Sequence, residues 1–247
     1  MKNSLIINFS QETLEILNKE KYTLCCFLAC KSENTSSFVP LCWSVTKFFL
    51  RSVLIEWEFN LSAYFSTSEI VDNKIIFIPK VASLKSKSLK SKLESTTGSN
   101  YQIALEQRML IGDDGKVDID TENTSETVLI QNDSKTAYST GICIFNYNDK
   151  QYYGNCVFKT YNGYNVKVAP VNKAYLMFTS KDTKSNTVIL KSENPGMLVD
   201  FTTITPQDNS RTVFYDISSG WSANGQVWGK KYPSGTDLKS ILVSQCI

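Results

Sequence analysis

The sequence predicts an all-β fold: two tandem antiparallel β-sandwich modules related by an internal duplication. Three observations predict it. Short runs of Val, Ile, Phe, Tyr and Thr recur between clusters of Asn, Asp, Ser and Gly, which is strand-and-turn spacing. Helix signals are few, so the helical crossovers that neighbouring parallel strands need are in short supply. The chain also matches itself at a nearly constant offset. Residues 10–18 read like 124–132 (132 − 18 = 114), Cys30 answers to Cys143 (143 − 30 = 113), Cys42 to Cys156 (156 − 42 = 114), and Phe65 to Phe178 (178 − 65 = 113). On this reading residues 1–110 form the first module, 111–122 an acidic linker or first strand, and 123–247 the second module.

Taken in order, residues 10–20 carry Leu14 and Leu17 three apart, a helical spacing, but their repeat partner Val128-Leu129-Ile130 is β-branched. Duplicated modules share a fold, so both copies are expected to be strands. Ile75-Ile76-Phe77-Ile78 reads as a strand stopped by Pro79, and Tyr164 to Val168 as a strand stopped by Pro170. Thr187 to Leu190 is expected to end at the Asn194-Pro195-Gly196 turn, with strands at 197–201 and 212–215 beyond it. Trp221 and Trp228 flank Asn224-Gly225, a hairpin signal. The best helix candidates are 83–95 and 236–242, the second capped by Thr236.

Composition narrows the function. Of 247 residues, 42% are hydrophobic and 20% charged, a globular balance. Net charge is +2, from 26 basic and 24 acidic residues, so no basic surplus exists to neutralise phosphates, and nucleic acid is not expected as a partner. The start of the chain lacks the pattern of a signal peptide. The most apolar stretch, 48–57, is cut by Arg51 and Glu56 and is too short to span a bilayer. The expected location is the cytoplasm, with release by a non-classical route left open. The Asn-x-Ser/Thr sequons, such as Asn34-Thr35-Ser36, then read as polar loops.

Histidine is absent, which removes the commonest general base and metal ligand and excludes the usual Ser-His-Asp and Cys-His hydrolases. Glu56 and Glu58 flank Trp57 on one strand face, the arrangement a carboxylate-based glycan-active enzyme would use, although two solvated strand residues explain them as well. The expectation is a non-enzyme without cofactor or metal. Asp113, Asp114, Asp118, Asp120 and Glu122 do not follow the calcium-loop spacing and read as a solvated linker. The seven cysteines contain no Cys-x-x-Cys pair. Cys30/Cys42 and Cys143/Cys156 are expected to be buried and reduced, facing each other within each repeat. The lysine-rich run 83–93 reads as a surface excursion with some potential for anionic membranes.

The second half is the more suggestive. Tyr152, Tyr153, Tyr161, Tyr164, Trp221 and Trp228 lie among Asn, Gln and Asp, as sugar recognition requires: rings pack on a pyranose face and amides bind its hydroxyls. At least one of the two Trp is expected in the core. The favoured reading is a lectin-like, or membrane-surface or cytolytic defence, protein that recognises glycans or lipid head groups. The alternative is a self-associating structural, assembly or storage protein, since low net charge favours homo-oligomers.

Overall fold

The computed structural model describes residues 2–82, 98–123 and 125–246. In chain order the elements are β1 (Asn3–Phe9), α1 (Gln11–Lys19), β2 (Thr23–Ser32), β3 (Val39–Pro40), β4 (Ser44–Thr46), β5 (Ser52–Ser66), β6 (Gly98–Ile103), β7 (Arg108–Ile111), β8 (Val117–Asp120) and β9 (Val128–Asn132). There follow β10 (Tyr138–Asn146), β11 (Gln151–Gly154), β12 (Cys156–Thr160), β13 (Tyr164–Thr179), β14 (Gly196–Asp200), β15 (Ser210–Asp216), β16 (Gly220–Ser222), β17 (Gly229–Tyr232), α2 (Leu238–Leu242) and β18 (Val243–Gln245). The protein is mostly β, and its strands form two curled sheets that face each other across one large apolar core.

The first sheet runs β16-β15-β1-β5-β10-β12-β3, with β11 on β10 and β6 on β5. The second runs β17-β14-β13-β9-β7-β8, with β2 on β13 and both β4 and β18 on β2. Both are mixed rather than antiparallel: β1 lies parallel to β15, β7 to β9 and β18 to β2. Helical crossovers are not needed for this, because the connection from β1 to β15 is most of the chain and that from β7 to β9 is a hairpin strand.

Each sheet draws strands from both halves of the sequence, so the expected pair of tandem modules is not confirmed. β5 pairs with β10, and β13 pairs with β2. Both ladders share an irregularity. The β5–β10 register jumps past Phe59-Asn60 and the β13–β2 register past Asn172-Lys173, positions 113 apart (172 − 59 = 113). The cysteine correspondences do not follow this frame. Cys143 faces Ser62, whereas Tyr175, 113 residues after Ser62, faces Phe27.

Residues 11–19 form a helix, not the expected strand. Ser10 caps it by accepting from the Thr13 amide at 3.2 Å, and Leu14 and Leu17 are buried on one face. Ser10 and Thr13 also donate to Asp216 at 3.0 and 3.1 Å, which ties the helix start to β15. These local signals outweigh the resemblance to 124–132. Pro170 does not end β13. One flank of β13 pairs with β9 up to Val168 and with β14 from Lys173, so between them that edge is open and the missing proline N–H costs nothing.

The runs at 75–78 and 187–190 are loop rather than strand, joined by the single bridge Ile75↔Thr187. Their Ile76 and Val188 pack with Leu41, Tyr64, Cys143 and Val157 in a second, smaller core. The Asn224-Gly225 turn carries positive φ at both residues but joins β16 to β17 in the opposite sheet, so it is a crossover, not a hairpin. The final helix starts one residue later than expected, with Asp237 as its cap. The candidate helix 83–95 and the lysine run 83–93 lie outside the described residues.

Six cysteines are buried and Cys246 is half-buried. The neighbours differ from expectation: the Cys30 thiol contacts that of Cys156, and the Cys42 thiol that of Cys25. Burial pushes the thiols of Cys26, Cys30, Cys42 and Cys143 up, so they stay protonated and unreactive. A thiol reagent is therefore expected to titrate Cys246 alone in native, reduced protein and the remainder only in denaturant. Rapid native labelling of Cys30 or Cys143, mapped by mass spectrometry, would contradict this packing.

Candidate functional site

The β10–β11 hairpin builds one wall of a cleft of about 440 Å³. Its turn is fixed by Asn146, whose Oδ1 accepts from the amides of Asn148 and Asp149 at 2.8 and 3.3 Å. The wall bears Tyr152 and Tyr153. Tyr152 packs edge-on against Phe145, with ring centroids 5.2 Å apart. Phe145 in turn meets Tyr147, whose hydroxyl donates to Glu58 Oε2 at 2.5 Å. Glu58 is thereby held below the usual carboxylate range, first by this hydrogen bond. Glu56 accepts from Lys2 at 2.8 Å. The two carboxylates are thus each engaged, Glu56 with Lys2 and Glu58 with Tyr147.

Tyr153 donates to Asp149 Oδ2 at 3.0 Å. Burial, followed by this carboxylate, pushes its phenol up to about 12, so it remains a donor at any physiological pH. Burial also raises the Tyr152 phenol.

The floor is Asn100 on β6, opposite Tyr64 of β5 and almost fully buried. Its Nδ2 donates to the Pro79 carbonyl at 3.1 Å, and its backbone oxygen accepts from Ala82 at 2.8 Å, which latches residues 78–82 over the sheet. Its Oδ1 is buried and has no hydrogen-bond partner among the described residues. A buried amide oxygen left unpaired is costly. Asn186 closes the far side. Its Oδ1 accepts from the Gly154 amide at 2.7 Å, and a side chain at Gly154 would collide with Ile78 and Leu41. Lys80, Lys150 and Asp149 give the rim both signs of charge.

The six aromatics singled out in the sequence do not converge. Tyr152 and Tyr153 line this cleft. Tyr161 and Tyr164 are exposed on the β12–β13 turn. Trp221 is buried, stacked on Phe178 at 5.5 Å, with its Nε1 donating to the Pro195 carbonyl. Trp228 is half-buried under the Arg211 guanidinium, 5.4 Å from its ring centre, beside a separate shallow depression.

Asn100 and Asn186 carried no sequence signal, being two among many asparagines. Among the acids of 113–122, Asp120 and Glu122 grip Arg108 at 2.7 and 2.6 Å. Among the described residues no three side chains of metal-ligating type gather, and no helix is long and apolar enough to cross a membrane. Comparison with protein families, curated proteins and solved structures gave no match to this chain. What can be defined is a class: a two-sheet β protein with a polar, tyrosine-walled cleft.

Proposed function

We propose that this protein is a non-enzymatic recognition protein that binds a glycan in the cleft between the β10–β11 hairpin and residues 78–81. The observation that carries the reading is a cleft walled by Tyr152 and Tyr153 and lined by the side-chain amides of Asn100, Gln151 and Asn186. A tyrosine ring supplies a face for the pyranose C–H groups, and amides and carboxylates at the rim bind its hydroxyls. Asp149, Gln151 and Asn186 add the directional acceptors and donors that discriminate one hydroxyl pattern from another. The absence of histidine, and the separate engagement of Glu56 and Glu58, support binding rather than hydrolysis.

A glycan array followed by calorimetry on the hits tests this. Tyr152→Ala and Tyr153→Ala are each expected to weaken binding by about 1–3 kcal/mol, or roughly ten- to hundredfold. Tyr161→Ala, outside the cleft, should bind as the parent does. No glycan bound at millimolar concentration, or hits indifferent to both cleft variants at unchanged melting temperature, would overturn the assignment.

A further inference from the structure

The loop between β4 and β5 reads Lys47-Phe48-Phe49-Leu50-Arg51, and its three apolar residues face opposite ways. Phe49 is buried, its ring 5.8 Å from that of Phe9 and 5.7 Å from that of Phe178. Its backbone is gripped from α1, with Asn18 Nδ2 donating to the Phe49 carbonyl and Asn18 Oδ1 accepting from the Phe49 amide, both at 3.0 Å. The Phe9 amide donates to the Arg51 carbonyl at 3.1 Å. A loop pinned at its centre and at one end cannot fold its flanking side chains inward. Phe48 is accordingly 72% exposed and Leu50 63% exposed, with Leu54 of β5 beside them at 45%.

Holding a Phe and a Leu in water on a rigid mount costs solvation free energy that a binding event recovers. We propose that this loop is a membrane-docking tip, which inserts Phe48 and Leu50 into the interfacial region of an anionic phospholipid bilayer. The flanking charges favour lipid over a protein partner. Lys47 and Arg51 bracket the apolar pair, so inserting Phe48 and Leu50 brings both cations to head-group level. Among the described residues Arg51 has no ion-pair partner and Lys47 pairs only with Asp182, in an exposed contact that solvent weakens. The size of the patch points the same way. Three partly exposed side chains offer roughly 300 Å² of apolar surface, far below the ~800 Å² per partner that a stable protein interface buries. A bilayer demands no matched footprint.

The loop is distinct from the cleft; the two share Asp149 as a lining residue, and docking does not depend on sugar binding.

Flotation of the full chain with vesicles of phosphatidylcholine and phosphatidylserine in equal parts, with no glycan present, is the test. The parent is expected to float, and the double variant Phe48→Ser/Leu50→Ser to lose at least about tenfold in partition. Because both side chains are exposed, that variant should melt with the parent. In Phe48→Trp, brominated lipids should quench the added indole. A parent that stays in the aqueous layer, a double variant that floats unchanged, or an indole at position 48 that is not quenched would overturn the proposal. So would a parent whose mass by light scattering is dimeric and becomes monomeric in the double variant, which would assign the patch to a second copy.

Discussion

Cut at residue 110, the chain is expected to lose its fold on both sides of the cut. The longest ladders, β5–β10 and β2–β13, each join a strand from before residue 110 to one from after it. A fragment 1–110 would expose both edges of β2 except where β4 covers three residues, and would leave Phe27, Trp57 and Phe65 without Tyr175, Phe201 and Tyr138, the rings they pack against. Unpaired edges and exposed aromatics produce aggregation rather than a marginal domain. Fragment 111–247 is in the same position, since β10 would lack β5 and β13 would lack β2. Neither fragment should give a cooperative melt or dispersed amide resonances alone, whereas co-expression should return a soluble complex with the parent's circular dichroism. A fragment 1–110 that melts cooperatively by itself would restore the tandem modules expected from the sequence.

What is legible in the sequence is uneven, and the pattern has physical causes. β14 and β15 are readable because their apolar runs sit between unambiguous turn residues, Asn194-Pro195 before one and Gln207-Asp208-Asn209 before the other. The run 75–78 has the same composition as a strand, but its Ile76 is buried against the outer face of a sheet without joining it. Periodicity reports which residues are buried, not what their backbone pairs with. In α1 a capping serine and two leucines three apart are local signals, and they prevail over the distant resemblance to 124–132 that argues for a strand. The β5 and β13 ladders are irregular at positions 113 apart, but the offset does not say that each strand pairs with one from the opposite half. At the site, Tyr152 and Tyr153 are readable as aromatics beside a polar turn. Asn100 and Asn186 are not, because their meaning lies in what the topology places above them: a chain segment latched over β6 and the amide of Gly154.

Phe178→Ala is expected to be the most damaging single substitution. Phe178 stands near the end of β13, and its ring meets five others: Phe9 at 6.3 Å, Tyr22 at 6.4 Å, Phe49 at 5.7 Å, Tyr215 at 4.3 Å and Trp221 at 5.5 Å. Phe9, Tyr215 and Trp221 belong to the opposite sheet, Tyr22 to the turn after α1 and Phe49 to the loop before β5, so one side chain closes the sandwich at this end. Truncating it removes buried ring area and leaves a cavity among rigid neighbours whose partners hold them elsewhere. Trp221 is tied to the Pro195 carbonyl and Phe49 to Asn18, so neither can collapse into the space. The expected loss is about 3–5 kcal/mol, which for a chain of this length lowers the melting temperature by roughly 6–20 °C. Urea denaturation should show the midpoint falling with the slope unchanged. Phe48→Ala is the matched control: same chemistry, one residue from Phe49, but exposed, and it should shift stability by no more than about 0.5 kcal/mol. Equal effects of the two substitutions, or a loss at Phe178 below about 1 kcal/mol, would mean that the aromatic cluster does not hold the sheets together. The tip carrying Phe48 and Leu50 would then have no rigid mount, because Phe49 is fixed to that same cluster.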